Sequence, residues 1–214
     1  MRPSKSEYKP IVGLMADSHG QAACIQEALH FFEHHGCRDI YHLGDICDSA
    51  HPETADNCIQ LLQRHHVIAI KGNNDHQVVV NHVDRSPSYI STGTIDFLKY
   101  LPLTLEIDNM VLAHSLPFVK QRGLSSMVGA LGEYEASLFF RLYPHKILIR
   151  GHSHLPELIQ SRKKAIVSQE FIPGEIHQLT DLVPAIITCG AVDHGIVMIW
   201  DRTAQTVYSE KLRF

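Results

Sequence analysis

The feature that most constrains the fold is a series of short apolar runs, each of which ends abruptly in a polar turn. The first three predicted strands cover residues 11–16, 39–43 and 67–70, and the first of them is a short apolar run. A continuous apolar run of this length fits a strand that is buried on both faces. Between the runs, residues 21–35 show helical spacing of apolar side chains, and residues 52–65 predict a second helix with a proline near its start. Alternating strands and helices predict parallel βαβ units.

The rest of the chain predicts a second sheet with further helices. Residues 94–100 and 132–142 predict helices, while residues 77–92 give no clear pattern. The last third is predicted to be all-β. The predicted strands after the first three cover residues 103–107, 110–113, 146–149, 157–160, 165–169, 185–188, 196–200 and 206–211. We therefore expect a flexible polar tail at residues 1–10 and a single α/β domain over residues 11–214, with two packed sheets and helices outside.

Composition restricts the class of protein. The formal net charge is −4, which gives no strong signal for nucleic-acid binding or for an anionic membrane surface. The cysteine count is five, and the odd number and wide spacing favour free thiols in a reducing compartment. Residues 1–10 lack an apolar signal-peptide core, and no apolar run approaches the ~20 residues of a membrane helix. These features predict a cytoplasmic protein without a membrane partner.

Residue types that bind metals stand at five of the predicted strand ends. They are Asp17 with His19, Asp45, Asn73, His114, and His152 with His154. In open α/β sheets, ligands bind beyond the carboxyl ends of the strands. Mixed carboxylate, imidazole and amide ligands suit Mn²⁺, Fe²⁺, Ni²⁺ or Zn²⁺. Each motif alone is also a common turn or cap, but their joint occurrence predicts a site for two divalent ions.

These motifs resemble the signature of a known superfamily. The matching segments are Asp-Ser-His-Gly (17–20), Gly-Asp (44–45), Gly-Asn-x-Asp (72–75), the strand-terminal His114 and Gly-His-Ser-His (151–154). Together they are similar to the signature of calcineurin-like metallophosphoesterases, especially the small bacterial and archaeal phosphodiesterases. The resemblance runs from residue 11 to about residue 200. It implies a four-layer αββα sandwich of two packed mixed sheets with flanking helices.

The resemblance also implies roles for the individual residues. Asp17, His19 and His154 are expected to hold the first ion. Asn73, His114 and His152 are expected to hold the second, and Asp45 is expected to bridge the two. The ions, Mn²⁺ by first expectation, would lie about 3.5–4 Å apart and generate a bridging hydroxide that attacks phosphorus. The catalytic set implied in this way is Asp45, Asn73, Asn74 and His114.

Three departures from the superfamily pattern bear on the substrate. Many members carry a histidine where this chain has Asn74, and an amide cannot deliver a proton to a leaving group near neutral pH. His76 is an alternative proton donor. Ser115 follows His114 where glycine is usual, which weakens the assignment of His114. The segment Gly-Asp-Ile-Cys-Asp (44–48) lacks the Asp-Arg-Gly of the protein serine/threonine phosphatases, which argues against a phosphoprotein substrate.

A small phosphodiester or nucleotide is therefore the expected substrate, by attack of a metal-bridging hydroxide. A phosphomonoester, a dinucleoside polyphosphate and a nucleic-acid end remain open, as does a non-catalytic scaffold of the same fold. Retention of every ligand position favours an enzyme over a scaffold. Asp75 is expected to orient a ligand residue. Arg122 and Arg150 are not assigned to phosphate binding, although guanidinium groups suit phosphate.

Overall fold

The computed structural model describes residues 11–85, 89–163 and 165–213, so the predicted tail at residues 1–10 lies outside the described residues. The strands are β1 (Ile11–Met15), β2 (Asp39–His42), β3 (Ile68–Ala69), β4 (Thr104–Ile107), β5 (Met110–Ala113), β6 (Ile147–Arg150), β7 (Glu157–Arg162), β8 (Ala165–Glu170), β9 (His177–Gln178), β10 (Ala185–Thr188), β11 (Ile196–Asp201) and β12 (Thr206–Lys211). The α-helices are α1 (Ala22–His34), α2 (Ala55–Arg64), α3 (Asn73–His82), α4 (Thr92–Tyr100), α5 (Val119–Arg122), α6 (Glu133–Leu142) and α7 (Leu179–Leu182). Short 3₁₀ turns cover Pro52–Thr54, Gly123–Met127 and Val192–His194.

The strands form two six-stranded mixed sheets. The first sheet has the order β3-β2-β1-β11-β12-β9, and the second has the order β4-β5-β6-β10-β7-β8. In the first sheet β1, β2 and β3 run parallel to one another. In the second sheet β5, β6 and β10 run parallel to one another. Parallel neighbours end at the same edge of a sheet, so each sheet gathers three strand ends at one edge.

Side chains from alternate positions of β1 enter two different cores. Val12 and Leu14 pack between the sheets, in a buried cluster that also contains Leu112 from β5. Met15 points the other way and packs in a cluster with α1 and α2. On the far face of the second sheet, Phe139 of α6 packs in a third cluster. The order helix, sheet, sheet, helix confirms the predicted four-layer αββα sandwich.

The secondary structure differs from the sequence-based prediction in several places, and α3 and α7 are two of them. Residues 77–92 show no clear pattern in the sequence, yet most of the first half belongs to α3, which begins after the N-cap Gly72. Its three consecutive valines are β-branched and favour strands, which obscures the helix in the sequence. The prediction of an all-β last third is wrong at α7, a single helical turn between β9 and β10. Four residues are too few to show a helical period.

The cysteines are all unpaired and buried, which confirms the prediction of free thiols: Cys24, Cys37, Cys47, Cys58 and Cys189. Burial raises the pKa of the Cys37 and Cys58 thiols to about 12. Thiols of this kind are packing groups rather than nucleophiles. Within the residues that the structure describes, no helix has the length and apolar character needed to cross a membrane.

We predict that Gly13→Ala destabilises the fold, because a β-carbon at this position would lie 2.7 Å from the buried ring of Phe32. Overpacking of this kind costs about 1–3 kcal/mol in the free energy of unfolding. Urea denaturation measures the loss. Gly93→Ala is the matched control, since a β-carbon there would have no neighbour within 4 Å and alanine favours the helix. Equal stability of the Gly13 variant and the unmodified protein would contradict this packing.

Candidate metal centre

All seven predicted ligand residues lie together, beyond the carboxyl ends of five parallel strands. Asp17 and His19 follow β1, Asp45 follows β2, Asn73 follows β3, His114 follows β5, and His152 and His154 follow β6. Packing of the two sheets places their parallel strand ends against each other. The fold therefore brings together the residues that the sequence pattern singles out.

One group of ligand atoms surrounds the end of β1. Suitable atoms of Asp17, His19 and His154 all lie within 4.8 Å of one another. The Nε2 atom of His154 lies 3.8 Å from Asp17 Oδ1. Asp45 borders the group, since its Oδ2 lies 3.6 Å from His19 Nε2. These four residues offer two carboxylates and two imidazoles to one ion.

A second group is centred on the buried His114. Atoms of Asp17, Asp45 and His114 lie within 4.8 Å of one another. The Nε2 atom of His114 is 3.5 Å from Asp45 Oδ1, 3.1 Å from Asn73 Oδ1 and 3.2 Å from His152 Nδ1. Asp45 therefore turns one oxygen to each group, Oδ2 to the first and Oδ1 to the second. This is the orientation expected of a bridging carboxylate.

Hydrogen bonds at Nδ1 orient two of the imidazoles. His114 Nδ1 donates to the backbone oxygen of Leu43 at 2.9 Å. His19 Nδ1 donates to Asp193 Oδ2 at 2.8 Å. Each bond places a ring proton on Nδ1 and turns Nε2 towards the other candidate ligand groups. Histidines that bind metals are commonly fixed in this way by a carboxylate or a backbone carbonyl.

Asp193 is a residue of the site that the sequence motifs do not include. It lies in the 3₁₀ turn Val192–His194, which follows β10 and so adds a sixth parallel strand end to the site. The sequence does carry a signal, because Asp193 follows an apolar run and precedes His194 and Gly195, much as Asp17 precedes His19 and Gly20. No motif surrounds His194, which predicts a structural or solvated side chain. Its exposed ring nevertheless lies 5.7 Å from the ring of His154, centroid to centroid.

Five of the seven ligand residues have a positive φ. The angles are 55° at Asp17, 42° at His19, 53° at Asp45, 72° at His152 and 63° at His154. Such backbone conformations cost non-glycine residues energy, and they concentrate at functional sites. Backbone hydrogen bonds hold the first two loops together, from Asp17 N to Gly44 O at 3.0 Å and from His19 N to Asp45 O at 3.1 Å. The hydrogen bonds between neighbouring loops therefore hold these strained backbone conformations in place.

Asn74 holds the carboxylate of Asp45 from both sides. Its backbone N–H donates to Asp45 Oδ1 at 2.8 Å, and its side-chain Nδ2 donates to Asp45 Oδ2 at 2.7 Å. The Asn74 Oδ1 atom accepts from Ser49 Oγ at 2.7 Å. Gly72 permits this approach, since a β-carbon there would lie 2.1 Å from the Asp45 nitrogen. The amide at position 74 therefore orients a carboxylate.

The charges of the site fit divalent cations. Asp17 is fully buried, and burial raises the pKa of its carboxyl to about 7, against lowering contributions from His114 and the His152 backbone N–H. Burial and the neighbouring His114 lower the pKa of His152 to about 4, so its imidazole is neutral and can donate a lone pair. Two inward-facing carboxylates with the surrounding imidazoles form an oxygen and nitrogen donor set of the kind that Mn²⁺, Fe²⁺ and Zn²⁺ accept.

The two arginines considered for phosphate binding are engaged elsewhere. Arg150 is buried and donates from Nε to the Ser115 backbone oxygen at 3.0 Å and from Nη1 to Thr188 Oγ1 at 3.3 Å. Arg122 pairs with Glu135 at 2.7 Å. Arg150 thus supports the loop that carries His114, and Ser115 has a structural role beside that ligand.

Asp75 links two loops of the site, as expected of a residue that orients ligands. Its carboxylate is fully buried and accepts from the Cys47 backbone N–H at 3.0 Å and from the Gly72 backbone N–H at 2.9 Å. These bonds join the loop that carries Asp45 to the start of α3. Since α3 begins with Asn73, Asp75 fixes the relative positions of two ligand residues.

Comparison with known proteins agrees with this geometry. The sequence matches the calcineurin-like phosphoesterase superfamily domain over residues 11–194, and the chain therefore belongs to this superfamily. A search of curated proteins finds no significant match.

Solved structures show the same fold at low sequence identity. A metallophosphoesterase from Sphaerobacter thermophilus superimposes with a TM-score of 0.73 at 19% identity, covering 96% of this chain and 89% of the other. A hypothetical protein from Pyrococcus horikoshii OT3 gives 0.64 at 12% identity, covering 95% and 88%. A putative diadenosine tetraphosphatase gives 0.58 at 16% identity, covering 95% and 94%.

We predict that Asp193→Asn weakens the binding of one divalent ion by about 10–100-fold, because His19 loses its charged hydrogen-bond partner. Calorimetric titration of the metal-free protein with Mn²⁺ measures both binding steps. Asp96→Asn on the exposed face of α4 is the control and should leave both steps unchanged. Unaltered Mn²⁺ binding by the Asp193 variant would show that Asp193 does not support the site.

Proposed function

We propose that this protein is a binuclear metal-dependent phosphodiesterase. In the proposed arrangement Asp17, His19 and His154 hold one ion, Asn73, His114 and His152 hold the other, and Asp45 contacts both. The observation that carries the proposal is the orientation of Asp45, which presents one oxygen at 3.6 Å to His19 and the other at 3.5 Å to His114. Mn²⁺ is the proposed native metal, since it accepts mixed oxygen and nitrogen donors.

Two bound divalent ions would supply an acidified water as nucleophile and positive charge for the phosphoryl oxygens. The protein contributes the geometry in which this chemistry takes place. Asn74 fixes the rotation of the Asp45 carboxylate through its two donors. The His152 backbone N–H donates to Asp17 Oδ2 at 2.9 Å and fixes the other buried carboxylate. Preorganisation of this kind avoids reorganisation during the reaction.

A diester is favoured over a monoester by the charge around the site. A groove of about 400 Å³ borders Asn73 and Asn74, and none of its lining residues in the described part of the chain is a lysine or arginine. A phosphomonoester carries up to two negative charges at neutral pH, whereas a diester carries one. A groove without a fixed cation suits the singly charged ester, and Asn74 offers no proton to a poor leaving group.

The energetic cost of the site favours an enzyme over a non-catalytic scaffold. A relative that had lost catalysis would have no need for buried carboxylates or for five ligand residues with positive φ. Loss of one ligand residue would let the backbone at that position return to an ordinary negative φ, which would relieve this strain. Retention of the whole set supports a catalytic role.

We predict that Asp45→Asn removes activity more completely than a change of a peripheral ligand such as His154→Asn. The bridging carboxylate serves both ions and offsets their mutual repulsion, and the amide keeps the shape without the charge. The expected loss is on the order of 10³-fold in kcat, measured with Mn²⁺ and bis(4-nitrophenyl) phosphate. Metal content is measured in parallel. Substantial turnover by a metal-replete Asp45 variant would show that Asp45 is not the bridge.

We also predict a steep dependence of rate on leaving-group acidity. Without a proton donor at position 74, aryl diesters should react far faster than alkyl diesters, since general acid help is typically worth ~10²–10⁴-fold. Asn74→His should flatten the series if the imidazole reaches the leaving oxygen, while the backbone bond to Asp45 remains. His76→Gln is the control for the alternative donor. A flat series in the unmodified protein would show that another acid already supplies the proton.

A further inference from the structure

One wall of the groove beside Asn74 is built from exposed apolar side chains. It comes from the segment after β5, where α5 is followed by the 3₁₀ turn Gly123–Met127. Leu124 and Val128 are 52% and 56% exposed and line the groove together with Met127. Large apolar side chains placed this openly beside a polar centre suggest a ligand contact.

The apolar wall is held in place by bonds beneath it. The Leu116 backbone N–H donates to the Ser126 oxygen at 2.9 Å, which ties the turn to the loop after His114. Arg122 pairs with Glu135 of α6. Phe118 and Met127 are buried at the base of the segment. Leu124 and Val128 are therefore exposed on a segment that is held firmly in place.

The rest of the groove lining is polar and, apart from one histidine, uncharged. Ser49, His76 and Gln77 contribute hydroxyl, imidazole and amide groups, and Asn73 connects the groove to the metal centre. A ligand that fits here has a flat apolar face, polar edges and no second phosphate, because no lysine or arginine faces the groove among its described lining residues. A nucleobase has these properties, whereas an alkyl chain or a polyphosphate does not.

A second cleft, of about 450 Å³, borders the loop that carries His152 and His154, and its lining includes Ser153 and Leu155. Glu157 and Glu170 also line this cleft. Two carboxylates oppose the entry of an anionic ester. The charge distribution therefore favours the groove beside Asn74.

We propose that the groove binds the nucleobase of a nucleotide ester, with Leu124 and Val128 against the face of the ring and His76 and Gln77 at its polar edge. The proposal rests on the proposed function, since the phosphate of the same molecule would lie at the metal centre next to Asn73. It makes Leu124 and Val128 the residues that determine specificity. It also assigns the substrate to the nucleotides among small phosphodiesters.

The test compares two ligands that share a phosphate and a ribose and differ in the base. Isothermal titration of Mn²⁺-loaded protein with AMP and with ribose 5-phosphate gives two dissociation constants. We expect AMP to bind about tenfold more tightly than ribose 5-phosphate, from the apolar surface that the base buries. Leu124→Ala and Val128→Ala should each reduce this preference several-fold while leaving ribose 5-phosphate affinity and metal content unchanged.

Two exposed leucines provide matched controls. Leu142→Ala on α6 should change neither dissociation constant, and Leu155→Ala tests the second cleft. Equal binding of the two ligands by the unmodified protein would overturn the proposal. A preference lost in the Leu155 variant and kept in the Leu124 variant would also overturn it, by placing the base in the second cleft.

The same samples distinguish this proposal from the proposed function. Turnover of bis(4-nitrophenyl) phosphate without a preference for AMP means that the enzyme assignment stands and the groove assignment is wrong. A preference for AMP that depends on Leu124, without turnover of any diester, supports the groove and contradicts the phosphodiesterase. Binding of neither ligand by protein that holds Mn²⁺, together with no turnover of any diester, contradicts both.

Discussion

The site depends on two carboxylates, Asp17 and Asp45, that are buried close together at the ends of neighbouring parallel strands. Removing both from water is costly, and their like charges repel. Backbone N–H groups of His152 and Asn74 provide part of the compensation. Burial nevertheless raises the pKa of Asp17 to about 7, so these donors do not fully stabilise its charge. Divalent cations bound between the carboxylates and the surrounding imidazoles would offset the remaining negative charge.

The sandwich makes this arrangement possible. Parallel strands from both sheets end at one edge, and the core between the sheets keeps the two sets of ends in register. The loops that carry the ligands then cross at very short distances, which Gly72 allows at its contact with Asp45. Hydrogen bonds between loops hold the strained backbone of the ligand residues. The loop after β1 bonds to the loop after β2, and the loop after β6 bonds to the loop after β1. Local strain is thus supported by a large, well-packed core.

Much of the fold and the clustering of the candidate ligand residues could be predicted from the sequence because both depend on local patterns. Apolar runs that end in Asp17 or His114 mark a buried strand and a ligand at once. The parts that could not be predicted depend on partners distant in the sequence. Asp193 acquires its role only through His19, which is 174 residues away in the chain. Arg150 is similar, since the sequence assigns it no role while in the fold its guanidinium donates to the backbone oxygen of Ser115, 35 residues away in the chain.

The most direct test of the two-ion site is the anomalous scattering of manganese in crystals of the Mn²⁺-loaded protein. Two anomalous peaks about 3.5–4 Å apart are expected, one on each side of the Asp45 carboxylate. One peak should contact His19 and His154, and the other should contact Asn73 and His114. A single peak, or a pair of peaks that Asp45 does not join, would contradict the assignment of Asp45 as the bridge between two ions.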